Sequence, residues 1–186
     1  MAGMPPAVLT GMPTSEKKLK ELDELIDGIE TAMLTTRRAD GHLVSRPMAT
    51  QKRISGADFW FVTNTDSHKL DEIQLDPNVN CSYYNSRTRE WVSVSGVAHV
   101  SRDRHRIKSL YKPDWKIWFG NEGGQRDGGP DDPRIALILV DADSVIYMKN
   151  DKPMPVILWE ALKSRVTGQP AEIGEVREIS GAELMD

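Results

Sequence analysis

Cysteine is almost missing from this chain. Cys81 stands alone among 186 residues, so no internal disulfide can form. Its setting in NVNCSYYN reads as a buried strand, where a small core residue fits better than a nucleophile. No apolar run approaches the roughly 20 residues that a membrane-spanning helix needs. The first positive side chain is Lys17, so no basic n-region of a secretory signal stands ahead of it. No membrane partner is therefore expected, and a cytoplasmic location is the default. Positive charge is not in excess either. Lys and Arg total 24 against 28 for Asp and Glu, a balance of -4 that offers no global field to nucleic acid or to an anionic membrane. The local run Arg102, Arg104, His105 and Arg106 is interrupted by Asp103 and reads as a solvated helix face.

The signatures of several mechanisms are missing as well. There is no Gly-x-Ser-x-Gly elbow, no Cys-x-x-Cys and no His-Glu-x-x-His, and His42, His68, His99 and His105 never fall at paired ligand spacing. Hydrolysis at a nucleophile elbow and a metal site are both unsupported. The P-loop and the Rossmann glycine fingerprint are also absent, so a nucleotide-like ligand needs another kind of cradle.

What is present is one domain's worth of chain, with 39% hydrophobic residues to build a core without disulfides. Residues 1–14 carry three of the eleven prolines and no periodicity, which predicts a loose arm. From a candidate N-cap at Ser15, Leu19, Leu22, Leu25, Ile26 and Ile29 recur at helical spacing and predict an amphipathic helix over about 15–30. Strand periods follow at 31–36 and, across the two-residue hairpin signal Asp40-Gly41, in a second strand that holds Pro47. Because proline removes a ladder donor, that strand belongs at an edge, a bulge or a ligand contact. Residues 57–63 predict a third strand, 67–75 a helix stopped by Asp76-Pro77, and 79–85 and 90–102 two further strands. A short helix is expected at 103–111 and a last strand or strand pair at 134–148. The loop 121–133 is dense in Gly, Pro and Asp, which predicts mobility unless a ligand or partner orders it. Residues 153–168 open on Pro and close on Gly168, as a final helix does. The domain proper thus spans 15–150, with 151–186 as a helix and tail packed on it. About six strands in meander order indicate a mainly β fold, a small antiparallel barrel with α additions.

Two segments carry candidate binding chemistry. In FVTNTDSHK (61–69) a strand end runs into hydroxyls, a helix start and a lysine, which together suit a phosphate. The plainer alternative is that Ser67 caps the helix that follows. In SRPMATQKR (45–53), Arg46 is able to grip a phosphate bidentately or to stand as a surface arginine on an edge strand. The two cations converge if strands two and three are hairpin neighbours.

Four blocks, TAMLTTRRADGHLVSRPM, FWFVTNTDSHKLDEIQLDPNVNCSYY, WVSVSGVAHV and a Trp/Phe stretch followed by DDPRIALILVDADSVIYM, occur in an order and spacing that carry a resemblance. Over about residues 20–150 the chain resembles the pyridoxamine 5'-phosphate oxidase-like superfamily of FMN-binding split barrels, and within it the general stress protein 26 group. The resemblance implies a Greek-key split β-barrel of about six antiparallel strands with flanking helices. It also implies FMN bound in a cleft between the two subunits of a homodimer. Arg46, Pro47, Met48 and Ala49 match the strand that runs along the flavin ring and ends at the phosphate. Val62 and Thr63 match the next ring and ribityl contacts, and Ser67, His68 and Lys69 match the phosphate-binding Ser-Arg-Lys of the oxidases. His68 departs from that Arg and removes a permanent charge. Trp91 replaces a glutamine that reaches the cofactor in the oxidases, and either stacks near the flavin or packs. Trp115, Trp118 and Phe119 either cover the ring or a flat substrate, or pack at the dimer seam; Trp118 is kept as a cofactor contact.

The oxidases' C-terminal Arg and His, which grip the pyridoxal phosphate ester, have no clear counterpart, which speaks against pyridoxamine phosphate oxidation. One functional reading is a flavin-dependent oxidoreductase that acts on a small molecule and draws on NAD(P)H or another small donor. Another is a stress protein that sequesters or senses flavin without turnover, and a third is an interaction module that binds none. FAD and the deazaflavin F420, the latter used by related split barrels, stand as alternatives to FMN. No residue is an evident proton donor to a substrate, and backbone N–H groups near Met48 to Thr50 are expected to face the flavin.

Overall fold

The computed structural model describes residues 14–54, 58–150 and 174–184, with the single positions 156, 159, 162, 163 and 168. The expected arm over 1–14 and the expected helix over 153–168 otherwise lie outside the described residues. Helix α1 spans Ser15–Ile29, and its spacing of apolar residues buries Leu22, Leu25 and Ile26. Its N-cap is Thr14, one residue before the expected Ser15; the Thr14 hydroxyl accepts from the Lys17 N–H. The helix stops at Glu30, which turns into the left-handed region at φ 64° and leads into β1, Thr31–Arg37.

β1 and β2 (Leu43–Ala49) pair antiparallel, as the Asp40-Gly41 signal predicts. The connection is one residue longer than expected. Gly41 N–H donates to Arg38 O, Arg38 N–H donates to His42 O, and Gly41 carries the positive φ of 85° that closes a three-residue loop. Next come β3 (Phe59–Asn64), α2 (Lys69–Leu75), β4 (Asn78–Tyr84), β5 (Trp91–Ser101) and α3 (Arg104–Leu110). A 3-10 turn, Pro113–Trp115, runs into α4 (Lys116–Phe119), and the chain continues through β6 (Ile135–Lys149), β7 (Glu175–Ser180) and α5 (Gly181–Leu184).

The fold is mainly β, a split antiparallel barrel with helices around it, seven strands among the described residues. Its strand order is β2-β1-β4-β5-β6-β3, with β7 also on β6, so the expected meander is wrong. β2 and β3 are not hairpin neighbours. They are the two ends of the sheet, and curvature brings them back together where Gln51 N–H donates to Trp60 O at 3.2 Å. β6 makes this closure possible by serving two partners. Ile135–Val140 pairs with β3 and Ser144–Lys149 with β7. The bend between them sits opposite a bulge at Ser95/Gly96, where a side chain on Gly96 would meet Asp141 O at 2.2 Å.

Two apolar clusters share the sheet. Inside the barrel, Leu22, Phe61, Cys81, Val94 and Ile138 belong to the main core. On the other face of β3 and β6, Trp60, Leu137 and Leu139 pack with Ile107, Trp115 and Phe119. That second layer explains why IALILV is apolar at every position: the first part of β6 is buried on both faces. Among the described residues, no helix is long and apolar enough to cross a membrane, and no group of His, Cys, Asp or Glu is gathered as a metal site.

Candidate functional site

β2 is an edge strand, so one side of its backbone is open. Thr50 N–H donates to Glu30 O, and antiparallel alternation then turns the Met48 and Arg46 N–H groups toward β1. Pro47 falls on the open side and costs the ladder no bond, which satisfies the edge reading of the sequence. The expectation that N–H groups from Met48 to Thr50 face a ligand narrows to Ala49, because its neighbours' donors are taken. Side chains alternate too. Met48 is in the core while Pro47 and Ala49 are exposed, so Met48 has only its backbone to offer. Past the strand end, Ala49, Thr50 and Gln51 line a cavity of about 600 Å³ with Asp23, Glu30 and Lys112.

Arg46 points inward and is held on two sides. Its Nη1 donates to Thr36 Oγ1 at 2.8 Å and its Nη2 to Glu72 Oε1 at 2.9 Å. Thr36 in turn donates to Glu72 Oε2 at 2.6 Å, closing a triangle across β1, β2 and α2. Burial works to raise the Glu72 carboxyl, but the hydrogen bonds from Arg46 and Thr36, with the Arg46 charge, outweigh it and hold the group below the usual range. Arg46, Glu72 and His68 line a second cavity of about 490 Å³ with Arg38, Val44 and Leu75.

Lys69 has a different setting. Its Nζ donates to Ser67 Oγ at 2.7 Å and to Thr63 Oγ1 at 3.1 Å. Thr63 is buried at the end of β3, and Val62 packs against the second cluster. Among the described residues no carboxylate comes within ion-pair distance of this ammonium. Burial first, and then the Arg46 charge, push the Lys69 pKa down, with Glu72 acting the other way. The cap alternative for Ser67 does not hold. α2 begins at Lys69, its N-cap is His68 with no side-chain bond, and the Ser67 hydroxyl serves Lys69 instead. Asn64 shapes the turn by accepting from the Asp66 N–H.

Barrel closure, α2 and β3 thus bring Arg46, Thr63, Ser67, His68 and Lys69 to one end of the molecule. Trp91 and Trp118 do not join them. Trp91 opens β5 beside Tyr84 and Met148 on the outer face of the sheet, and Trp118 is 71% exposed on α4. Trp115 and Phe119 are core residues. Sequence reasoning missed Thr36 and Glu72, the partners that aim Arg46. Only the three-residue spacing from Lys69 to Glu72 hinted that both stand on one side of α2.

The loop 121–133 is anchored by buried side-chain contacts at its C-terminal end. Asp132 and Arg134 are 0% and 1% exposed and paired at 2.6 Å, and Arg134 also donates to Phe119 O and Gly120 O. Burial works to raise the Asp132 carboxyl, but the hydrogen bonds from Arg134 and from the Gly128 N–H bring it to about 2.

The family model for pyridoxamine 5'-phosphate oxidase-like proteins matches residues 17–172. Protein bli-3 of Neurospora crassa is 37% identical over 172 residues, spanning 91% of this chain and 82% of that one. In structure, the chain resembles a protein related to general stress protein 26 from Clostridium acetobutylicum, with a TM-score of 0.62 at 20% identity over 74% of this chain and 92% of that one. It also resembles a pyridoxamine 5'-phosphate oxidase-related, FMN binding protein from Nostoc punctiforme, with a TM-score of 0.60 at 14% identity over 91% and 97%. At these identities the two likenesses are of fold. The general stress FMN/FAD binding protein of Xanthomonas citri is similar at 25% identity and a TM-score of 0.59, over 73% of this chain and 90% of that one. The match along most of its length, and the split barrel it forms, make this chain a member of the pyridoxamine 5'-phosphate oxidase-like family.

Proposed function

We propose that this protein binds FMN and acts as a flavin-dependent oxidoreductase on a small molecule, with the flavin held at the seam of a homodimer. The observation that carries the reading is Lys69, a half-buried ammonium bonded to two hydroxyls and to no carboxylate among the described residues. A cation in that state is stabilised by an incoming anion, and Arg46 adds a fixed charge beside it. The residues present therefore fit a phosphate ester. Lys69, Ser67 and Arg46 would hold the phosphate, with the open edge of β2 at Pro47 and Ala49 left for the ring. Bound FMN would supply hydride and electron transfer. FMN, with one terminal phosphate, suits the compact cluster of donors among the described residues better than the diphosphate of FAD or the extended anionic tail of F420 does.

The homodimer is supported by what one chain leaves uncovered. Met33, Leu43, Tyr84, Ile146 and Val176 are exposed large apolar residues on the sheet, and they make a broad face that a second copy would bury. Trp91 lies on that same face, where a partner's flavin would reach it.

Titrating apo-protein with FMN, FAD and F420, followed by fluorescence quenching, tests the cofactor. FMN should saturate at the lowest concentration, and absence of any saturable binding would sink the reading. Steady consumption of NAD(P)H by the FMN-loaded protein in the presence of an acceptor is expected of an oxidoreductase. Bound flavin that no nicotinamide or other small donor reduces would identify a flavin carrier instead.

A further inference from the structure

The turn between β3 and α2 carries one carboxylate of its own, Asp66, placed directly before Ser67. Consecutive Cα atoms lie about 3.8 Å apart, well inside a screening length of about 8 Å, so an unpaired charge there acts on any anion at Ser67 and Lys69. Asp66 is not unpaired. Arg126, from the glycine-rich loop, places Nη2 3.0 Å from Asp66 Oδ2 and Nε 2.6 Å from Glu122 Oε2. The other Glu122 oxygen is 2.7 Å from Arg134, and Thr65 N–H donates to Arg134 O at 2.7 Å. The loop is therefore bound to the turn at two adjacent residues, once through backbone and once through charge.

We propose that Arg126 is a positioning residue of the anion site, which pairs with Asp66 so that a phosphate reaching Ser67 and Lys69 meets less repulsion from that carboxylate. The role rests on the functional reading above. It also gives the loop a purpose: Arg126 is carried to Asp66 by a segment anchored on the buried Asp132–Arg134 pair. Of the carboxylates on the cavity beside His68, Asp71 and Glu72, the second is paired in a parallel way with Arg46.

The test is a set of FMN and riboflavin titrations on the wild type, Arg126→Ala, Asp66→Asn and the double variant, with thermal unfolding as a check on folding. Arg126→Ala should weaken FMN by about threefold to tenfold, less at high salt, and leave riboflavin unchanged because riboflavin lacks the phosphate. Removing the exposed charge in the double variant should return FMN affinity to about the wild-type value. An Arg126→Ala protein with wild-type FMN affinity overturns the inference, and so does a double variant as weak as Arg126→Ala or an equal loss for riboflavin. A wild-type protein that binds no FMN overturns the functional reading along with it.

Discussion

Lys69 shows how much of a site a single residue type discloses. A lysine after a strand end, with hydroxyls at Thr63 and Ser67, suggests an anion ligand from sequence, and the structure joins these three groups by hydrogen bonds. Lys69→Ala should weaken FMN by about 1–3 kcal/mol in a fluorescence titration, the usual worth of a charged hydrogen bond. The pH dependence has a definite sign. Because burial and Arg46 lower the Lys69 pKa from 10.5, the folded protein releases this proton before the unfolded chain does. Below that window the buried charge costs stability, and the cost is relieved as pH rises through it. A bound phosphate favours the ammonium, so FMN affinity should fall as pH rises through the same window, and Lys69→Ala should flatten the curve in the alkaline range below pH 10.5. A wild-type curve already flat there would remove Lys69 from the phosphate. Arg46 was readable only in part. Its charge was evident, but its aim depends on Thr36 and Glu72, which come from other elements and share no local pattern with it.

At the scale of elements, boundaries followed local chemistry and partners did not. The alternation of β5 and the apolar spacing of α1 fixed those elements to within a residue or two, because each pattern reports burial of its own side chains. Pairing of β1 with β4 and of β3 with β6 joins distant stretches, and nothing inside either stretch encodes its partner. β7 escaped notice for a physical reason: its inward residues are Arg177 and Ile179, and an inward arginine breaks the apolar alternation that marks a strand. Gly96 offers a sharp test of the sheet. A methyl group there collides with backbone at Asp141, so Gly96→Ala should cost about 1–3 kcal/mol, seen as a lower urea midpoint. An unchanged midpoint would mean that the bulge does not bring the two strands so close.

For the whole molecule, the exposed sheet face is the feature that no local pattern could reveal, since it forms only when six strands are laid side by side. If a second copy covers it, a charge within it should separate the subunits. Met33→Lys is expected to sediment as a monomer where the wild type sediments as a dimer, and to bind FMN roughly tenfold more weakly. A Met33→Lys protein that remains dimeric would place the interface elsewhere.

The barrel is also tied shut by a buried contact between α1 and β7. Glu21 accepts from Tyr147 and from Arg177, and Lys18 pairs with Glu183 at 2.8 Å. Glu21 and Arg177 stand 156 residues apart in the chain. A ribosome makes the acid long before its base. Until β7 emerges, docking α1 would bury a carboxylate without its guanidinium, at a cost that favours leaving the helix in water. Helix α1 is thus expected to settle late, with the strands that pack on it open along one side of their core until β7 arrives.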